Sequence, residues 1–243
     1  PDSRRLGRFR ALVSAADLVV CGNTYLAGHV LRYSPRVQIV PTAIDTENYH
    51  PRRRAPKSSA DSGRLIIGWT GSRGTNGYLN AVLPILPRLP VPVEFRFLSD
   101  VKTGVELELL GDVPFRFIPW SPEVEIPQTA AFDVGLMPLP DDPWTRGKSG
   151  FKALQYLGLG LPTVCSPVGV NCDIITPEVN GLLAATPAEW FACLHRLATD
   201  AELRRRLGKA GRERVEQAFA LNVQAPRLVD ALEDVTHRER RTA

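Results

Sequence analysis

Between residues 64 and 184 the chain alternates short apolar runs with amphipathic stretches, and this alternation restricts the fold more than any other feature of the sequence. The apolar runs are "RLIIGWTG", "VEFRFLS", "VPFRFIPW", "DVGLMPLP", "LPTVCSPVG" and "NGLLAA". Each is short and rich in apolar residues and reads as a strand, and "RLIIGWTG" as one buried on both faces. Among the stretches between them, "TNGYLNAVLPILPRL" reads as a helix entered through a glycine-rich turn, and "VELELLGD" as a short helix. "PEVEIPQTAAF" holds a helical turn or two, residues 149–159 a helix, and "CDIIT" a short helical turn. Strands alternating with helices predict an α/β fold: a parallel sheet with helices on both faces. From Pro187 onward the sequence reads as helical throughout.

Ahead of this unit, "ADLVVCGNTYLAGHVLRY" predicts a strand over Leu18 to Cys21 and a helix capped by Asn23 or Thr24. "VQIVPTAID" is a second short strand, broken at Pro41. Residues 51–63, "PRRRAPKSSADSG", carry no apolar periodicity and read as an exposed linker. The resulting division is residues 1–56, 57–215 and 216–243. The chain lacks an initiating Met, and its first residues do not resemble a secretory signal, so a fragment or processed piece is expected.

The net charge of +4 is a mild basic bias, concentrated in Arg4, Arg5, Arg8 and Arg10, in Arg52 to Arg54, and in Arg238, Arg240 and Arg241. Such clusters read as solvated tails, or as attraction for anionic lipid or a phosphorylated substrate. No nucleic-acid-binding signature accompanies them, so nucleic acid is not an expected partner. The four cysteines and four histidines are dispersed without metal spacing, and no metal site is expected. Cys21 and Cys165 lie in apolar runs and read as small buried hydrophobes. A cytoplasmic location fits this cysteine usage.

Parallel sheets bind ligands outside the carboxyl ends of their strands, which points to "GWTGSRGTNG", "IPWSPE", "LPDDPWTRGKSG" and "SPVGVN". In "GKSGFKALQYLGLGLP" the helix ends at Gly160 and Pro162. At about 100° per residue, Phe151, Leu154, Leu157 and Gly158 share one arc, and Lys148, Lys152 and Gln155 the other. The glycines before Phe151 expose backbone N–H groups, and the helix dipole favours an anion there. The alternative is a surface helix with a solvated lysine stripe. Trp120 is open to two readings, core or ligand-flanking, whereas Trp69 and Trp144 read as packing. Asp141 and Asp142 sit on a Pro-bounded loop and read as solvated turn carboxylates or as ligand contacts. Asp45 reads as stabilising a turn, and Asp133 as terminating an element.

In their order along the chain, these segments resemble the C-terminal lobe of the group 1 (family four) glycosyltransferases, which have the two-Rossmann GT-B fold. The resemblance is carried by "ADLVVCGNTYLAGHV", "VQIVPTAIDTENYHP", "FDVGLMPLP", "FKALQYLGLGLPTVCSPVGVNCDIITPEVNGLLA" and "DAELRRRLGKAGRERVEQAFAL". It implies a Rossmann-like lobe and transfer of a sugar, with retention, from a nucleotide-diphosphate sugar to an acceptor hydroxyl. It implies no permanently bound cofactor. The implied partners are the donor, a sugar or lipid-linked acceptor, an N-terminal lobe, and peripheral contact with the inner membrane face. Two acidic positions of the family's donor motif fall on Gly147 and Gln155, and its diphosphate-gripping Arg falls on Ser72, with Arg73 next to it. The resemblance therefore makes Lys148 the candidate catalytic cation. The donor site it implies comprises Gly71, Ser72, Arg73, Trp120, Ser121, Lys148, Ser149, Gly150, Phe151 and Gln155. It also implies that Gln155→Glu preserves or tightens donor binding. Other readings are a non-catalytic nucleotide-sugar-binding lobe and a nucleotide-sugar epimerase of the same fold.

Overall fold

The computed structural model describes residues 3–53 and 63–242, with side chains up to residue 237. Most of the expected linker, residues 54–62 including Arg54, lies outside the described residues, as do the side chains of Arg238, Arg240 and Arg241. The chain opens with α1 (Ser3–Ala15), β1 (Val19–Cys21), α2 (Thr24–Val30) and β2 (Val37–Ile39). The two strands pair in parallel, and Val13, Cys21, Ala27 and Val30 form a small core beneath them. Asn23 caps α2: its side-chain oxygen accepts from the Leu26 N–H at 2.8 Å, satisfying one orphan donor of the first turn.

The alternating region forms a single parallel sheet of six strands. These are β3 (Leu65–Thr70), β4 (Val93–Ser99), β5 (Phe115–Pro119), β6 (Val134–Met137), β7 (Thr163–Cys165) and β8 (Leu182–Leu183). Their order is β5-β4-β3-β6-β7-β8. The period-two geometry of a strand sends Leu65, Ile67 and Trp69 into one core and Ile66 into the other, and both cores are roofed by helices. Strand order reverses between β3 and β6, so the carboxyl ends of these two strands open a crevice.

The helices that follow β5 are α3 (Pro122–Ala130), α4 (Pro143–Arg146), α5 (Phe151–Gly158), α6 (Asn171–Ile174), α7 (Pro187–Thr199), α8 (Ala201–Ala218) and α9 (Leu221–Thr242). Two expected helices take a tighter form. Residues 76–88 make two 3-10 segments, Asn76–Ala81 and Leu83–Arg88. Pro84 and Pro87 carry no N–H and clash with the preceding turn, which a regular α-helix does not accommodate. Leu107–Leu110 is likewise 3-10 and stops at Gly111. The helical C-terminal segment is three helices rather than one, because Asp200 leaves helical geometry and caps α8 by accepting from the Leu203 N–H at 2.8 Å.

Long-range bonds join the segment after β2 to the sheet unit. Ile44 bridges Ala220, between α8 and α9. Arg212 of α8 is buried and donates to the carbonyls of Gly158 at 2.7 Å, Thr46 at 3.0 Å and Tyr49. One guanidinium fork thus holds residues 46–49 against the end of α5. Asp45 closes the turn there, accepting from the N–H groups of Glu47 and Asn48. No helix among the described residues is long and apolar enough to cross a membrane.

Candidate functional site

A cavity of about 520 Å³ lies at the strand-order reversal. Thr70, Gly71 and Ser72 enter it from the end of β3, Met137 from the end of β6, and residues 148–152 with Gln155 from α5 and the loop before it. Asp100, Trp120 and Glu125 close the other side. Of the expected site residues, Gly71, Ser72, Trp120, Lys148, Ser149, Gly150, Phe151 and Gln155 therefore meet in one place. Two do not line it. Arg73 is exposed and ties down its backbone, donating its N–H to Asp100 Oδ1 at 2.7 Å. Ser121 begins α3 and donates its hydroxyl to Glu123 Oε2 at 2.6 Å.

The start of α5 is built for close approach. Gly150 has φ of 71°, which strains any larger residue, and a Cβ there would also crowd the Ile174 side chain at 2.4 Å. Among the described residues no protein group accepts from the N–H groups of Ser149, Gly150 or Phe151. The two N–H groups on the β3 side are already committed: Gly71 donates to the Leu98 carbonyl at 2.9 Å, and Ser72 to Thr75 Oγ1 at 3.2 Å. Of these five N–H groups among the described residues, the three at the α5 end are the ones open to an anion. Asn23 supports that end from α2, its Nδ2 donating to the carbonyls of Gly147 and Lys148, each at 3.2 Å.

Two lysines face this cavity. Lys148 Nζ lies 5.5 Å from the centre of the Trp144 ring and 5.9 Å from that of Tyr78. Lys152 Nζ lies 5.3 Å from the centre of Trp69. Burial, and then the nearby Lys148 charge, pulls the Lys152 pKa down to about 8. The sequence placed Lys152 on the arc with Lys148 and Gln155, as a second cation favouring an anion, but left it out of the named donor site; the structure puts it among the lining groups. Trp69 is packed, as expected, whereas Trp144 is 74% exposed and forms part of the rim around Lys148.

The two arcs of α5 do not sort by burial, and the alternative of a solvated stripe does not hold for Gln155. Phe151 is exposed at the cavity mouth, and Gln155 is 2% exposed. Gln155 Nε2 donates to the Tyr49 hydroxyl at 2.9 Å, and that hydroxyl donates to Glu125 Oε2 at 2.6 Å. Trp120 Nε1 donates to Glu125 Oε1 at 2.9 Å, holding a half-exposed indole at the cavity wall. Burial and the neighbouring Glu125 push the Tyr49 phenol far above its ordinary pKa. The next residue, Tyr156, is fully buried and accepts from the Thr70 N–H at 2.9 Å, so α5 is fastened to the tip of β3.

The other carboxylates singled out in the sequence have structural partners. Asp141 pairs with Arg146 at 2.6 Å, and Asp142 caps α4 in a reciprocal arrangement with Thr145. Asp133, buried at the start of β6, accepts from the Ile66 N–H at 2.8 Å. Among the described residues no cluster of three or more His, Cys, Asp or Glu side chains is arranged to hold a metal ion. The cavity offers cationic and main-chain N–H donors on one side, and on the other the Trp120 ring, the carboxylates of Asp100 and Glu125, and Gln155. It suits a phosphorylated ligand with a polar sugar.

No protein-family model matches the sequence, and no curated protein does so either. Solved structures do match. Sucrose-phosphate synthase from Thermosynechococcus elongatus superposes with a TM-score of 0.79 at 21% identity, over 98% of this chain and 63% of that one. Anabaena HepE, solved in complex with UDP-glucose, gives 0.74 at 14% identity, over 96% of this chain and 68% of that one. The C-terminal domain of a glycosyl transferase group 1 family protein, LpcC from Francisella tularensis, gives 0.57 at 20% identity, over 73% of this chain and 99% of that one. The chain thus spans about 63% of the synthase's length. At these identities the likeness concerns the fold, which is that of the C-terminal lobe of GT-B glycosyltransferases.

Proposed function

We propose that this chain is the donor-binding lobe of a glycosyltransferase that moves a sugar from a nucleotide-diphosphate sugar to an acceptor hydroxyl with retention at the anomeric carbon. The observation that carries the reading is the convergence of Lys148, Lys152 and the unpaired N–H groups of residues 149–151 on one crevice at the strand-order reversal. As the glycosidic bond to the donor breaks, negative charge grows on the departing diphosphate. Preorganised cations and main-chain N–H groups lower the barrier by stabilising that charge more than they stabilise the intact donor. Lys148 is the catalytic cation in this reading, with Lys152 beside it. The Gln155 carbonyl receives the ribose hydroxyls, and Trp120 flanks the base. Ser121 and Arg73 lie outside the cavity wall and have no part in the reading.

The division into residues 1–56, 57–215 and 216–243 belongs to the same proposal. The first and last pieces carry the chain to and from an N-terminal lobe that brings the sugar or lipid-linked acceptor. A lipid-linked acceptor would place the work at the inner membrane face. HepE, solved with UDP-glucose, supports the donor class.

The chain alone should bind UDP or GDP measurably in calorimetry and transfer little sugar. Robust transfer by this chain alone would show that the acceptor site is misplaced. A second reading, a nucleotide-sugar-binding lobe without catalysis, is favoured by Gly147, which presents only backbone and whose carbonyl accepts from Asn23. Turnover by a protein carrying both lobes, lost on Lys148→Ala, decides between them.

A further inference from the structure

We infer that Tyr49 and Glu125 are positioning residues whose hydrogen-bond direction selects an amide at position 155 and turns its carbonyl oxygen toward the cavity. The inference rests on the nucleotide-sugar reading only for what that carbonyl meets. It begins with groups that can bond in a single sense. The Trp120 indole N–H can only donate, and it points at Glu125 Oε1 at 2.9 Å. A carboxylate can only accept, so the single proton of the Tyr49 phenol is the one lying between Tyr49 and Glu125 Oε2, 2.6 Å apart. With that proton committed, the phenol oxygen is an acceptor for its remaining neighbour. That neighbour is Gln155 Nε2, at 2.9 Å.

The chain therefore runs one way, from the Gln155 amide to Tyr49 to Glu125, with Trp120 donating from the far side. The Gln155 nitrogen is held on the Tyr49 side, which leaves Oε1 to the cavity. Among the described residues no protein donor reaches that oxygen. A carboxylate at position 155 would put two acceptors face to face, or would draw the phenol proton away from Glu125. Either way a buried bond is lost. The family-like substitution Gln155→Glu is then harmful here, contrary to what the sequence resemblance implies. Arg212 holds the Tyr49 backbone against the end of α5, so the phenol cannot easily move aside.

The test is to reverse the chain. In the double variant Glu125→Gln with Gln155→Glu, the new amide at position 125 donates to the phenol oxygen while still accepting from Trp120. The phenol then donates to the carboxylate at position 155. UDP affinity by calorimetry and the Tm of the ligand-free protein are measured for the parent, both single variants and the double. Gln155→Glu alone should weaken UDP binding about tenfold, the scale of one lost buried hydrogen bond, and lower the Tm. The double variant should return to within about threefold of the parent. A double variant whose losses are the product of the two singles overturns the inference, as does a harmless Gln155→Glu in the parent. If the parent binds no UDP, the nucleotide reading fails, and the Tm cycle of the ligand-free proteins still decides the direction of the chain.

Discussion

Lys152 Nζ lies 5.3 Å from the centre of the Trp69 ring, with its ammonium at the wall of the cavity and its stem half-buried. The ring face offers a cation partial compensation for lost water, but burial dominates and the pKa falls to about 8. A bound diphosphate would favour the charged form and raise that pKa. Nucleoside diphosphate affinity should then be flat below pH 8 and fall, by up to about tenfold per unit, above it. Calorimetry between pH 7 and 9 in buffers of different ionisation enthalpy should show proton uptake in the upper part of that range. Lys152→Met should remove both effects. An affinity independent of pH across that range would place the anion elsewhere.

The same lysine sets a stability trend in the ligand-free protein. Its folded pKa of about 8 lies below the ordinary 10.5, so between those values the unfolded chain binds more protons than the folded one. Stability from this group therefore rises with pH across that window, and below pH 8 its charged form works against folding. Lys152→Met should stabilise the protein at pH 7 by about 1–3 kcal/mol and flatten the trend. Denaturant titrations at pH 7 and pH 9.5 check this, and a destabilised variant at pH 7 would contradict it.

Lys148→Ala should weaken nucleoside diphosphate binding by about 1.5–3 kcal/mol, the range for a charge-assisted hydrogen bond. Binding of the corresponding nucleoside should hardly change, because in the proposed site base and ribose do not touch that ammonium. Equal losses for both ligands would point to damage at the Asn23-supported loop instead.

Gln155→Leu should cost about 1–3 kcal/mol of donor affinity, since ribose hydroxyls would be desolvated without an acceptor. An analogue that lacks the ribose should be indifferent to the change. Undiminished nucleotide binding by Gln155→Leu would remove Gln155 from the site.

Gly208 sits inside α8, where alanine is intrinsically better by about 1 kcal/mol. A Cβ at this position would stand 2.1 Å from the Gly160 carbonyl oxygen, just past the end of α5. Gly208→Ala should therefore destabilise the protein, by about 2 kcal/mol or more, because backbone cannot yield as a side chain does. A rise in Tm would mean that α8 and the turn after α5 are not packed this closely.

The sequence by itself determined which segments are strands, because a run such as Leu65 to Trp69 has no polar side chain on either face, and burial on both faces suits it. It determined the Asn23 cap and the end of α5, whose Gly160 takes φ of 69°, since capping and left-handed backbone depend on the residue itself. The common location of Lys148, Gly150, Gln155 and Trp120 followed from a resemblance in the order of motifs. Tertiary structure alone decided that β3 and β6 are neighbours, and so where the crevice opens. It decided that Gln155 is buried, because Tyr49, 106 residues earlier in the chain, is held over it. Helical periodicity says which residues share a face and nothing about what covers that face. Here Arg212, from a third segment, fixes the cover in place. Glu125 was unremarkable in the sequence for the same reason, and Lys152 showed only as a second cation on the arc of Lys148. Their chemistry depends on a half-buried ammonium beside Trp69 and on a carboxylate between Tyr49 and Trp120, contacts made only when distant parts of the chain pack together.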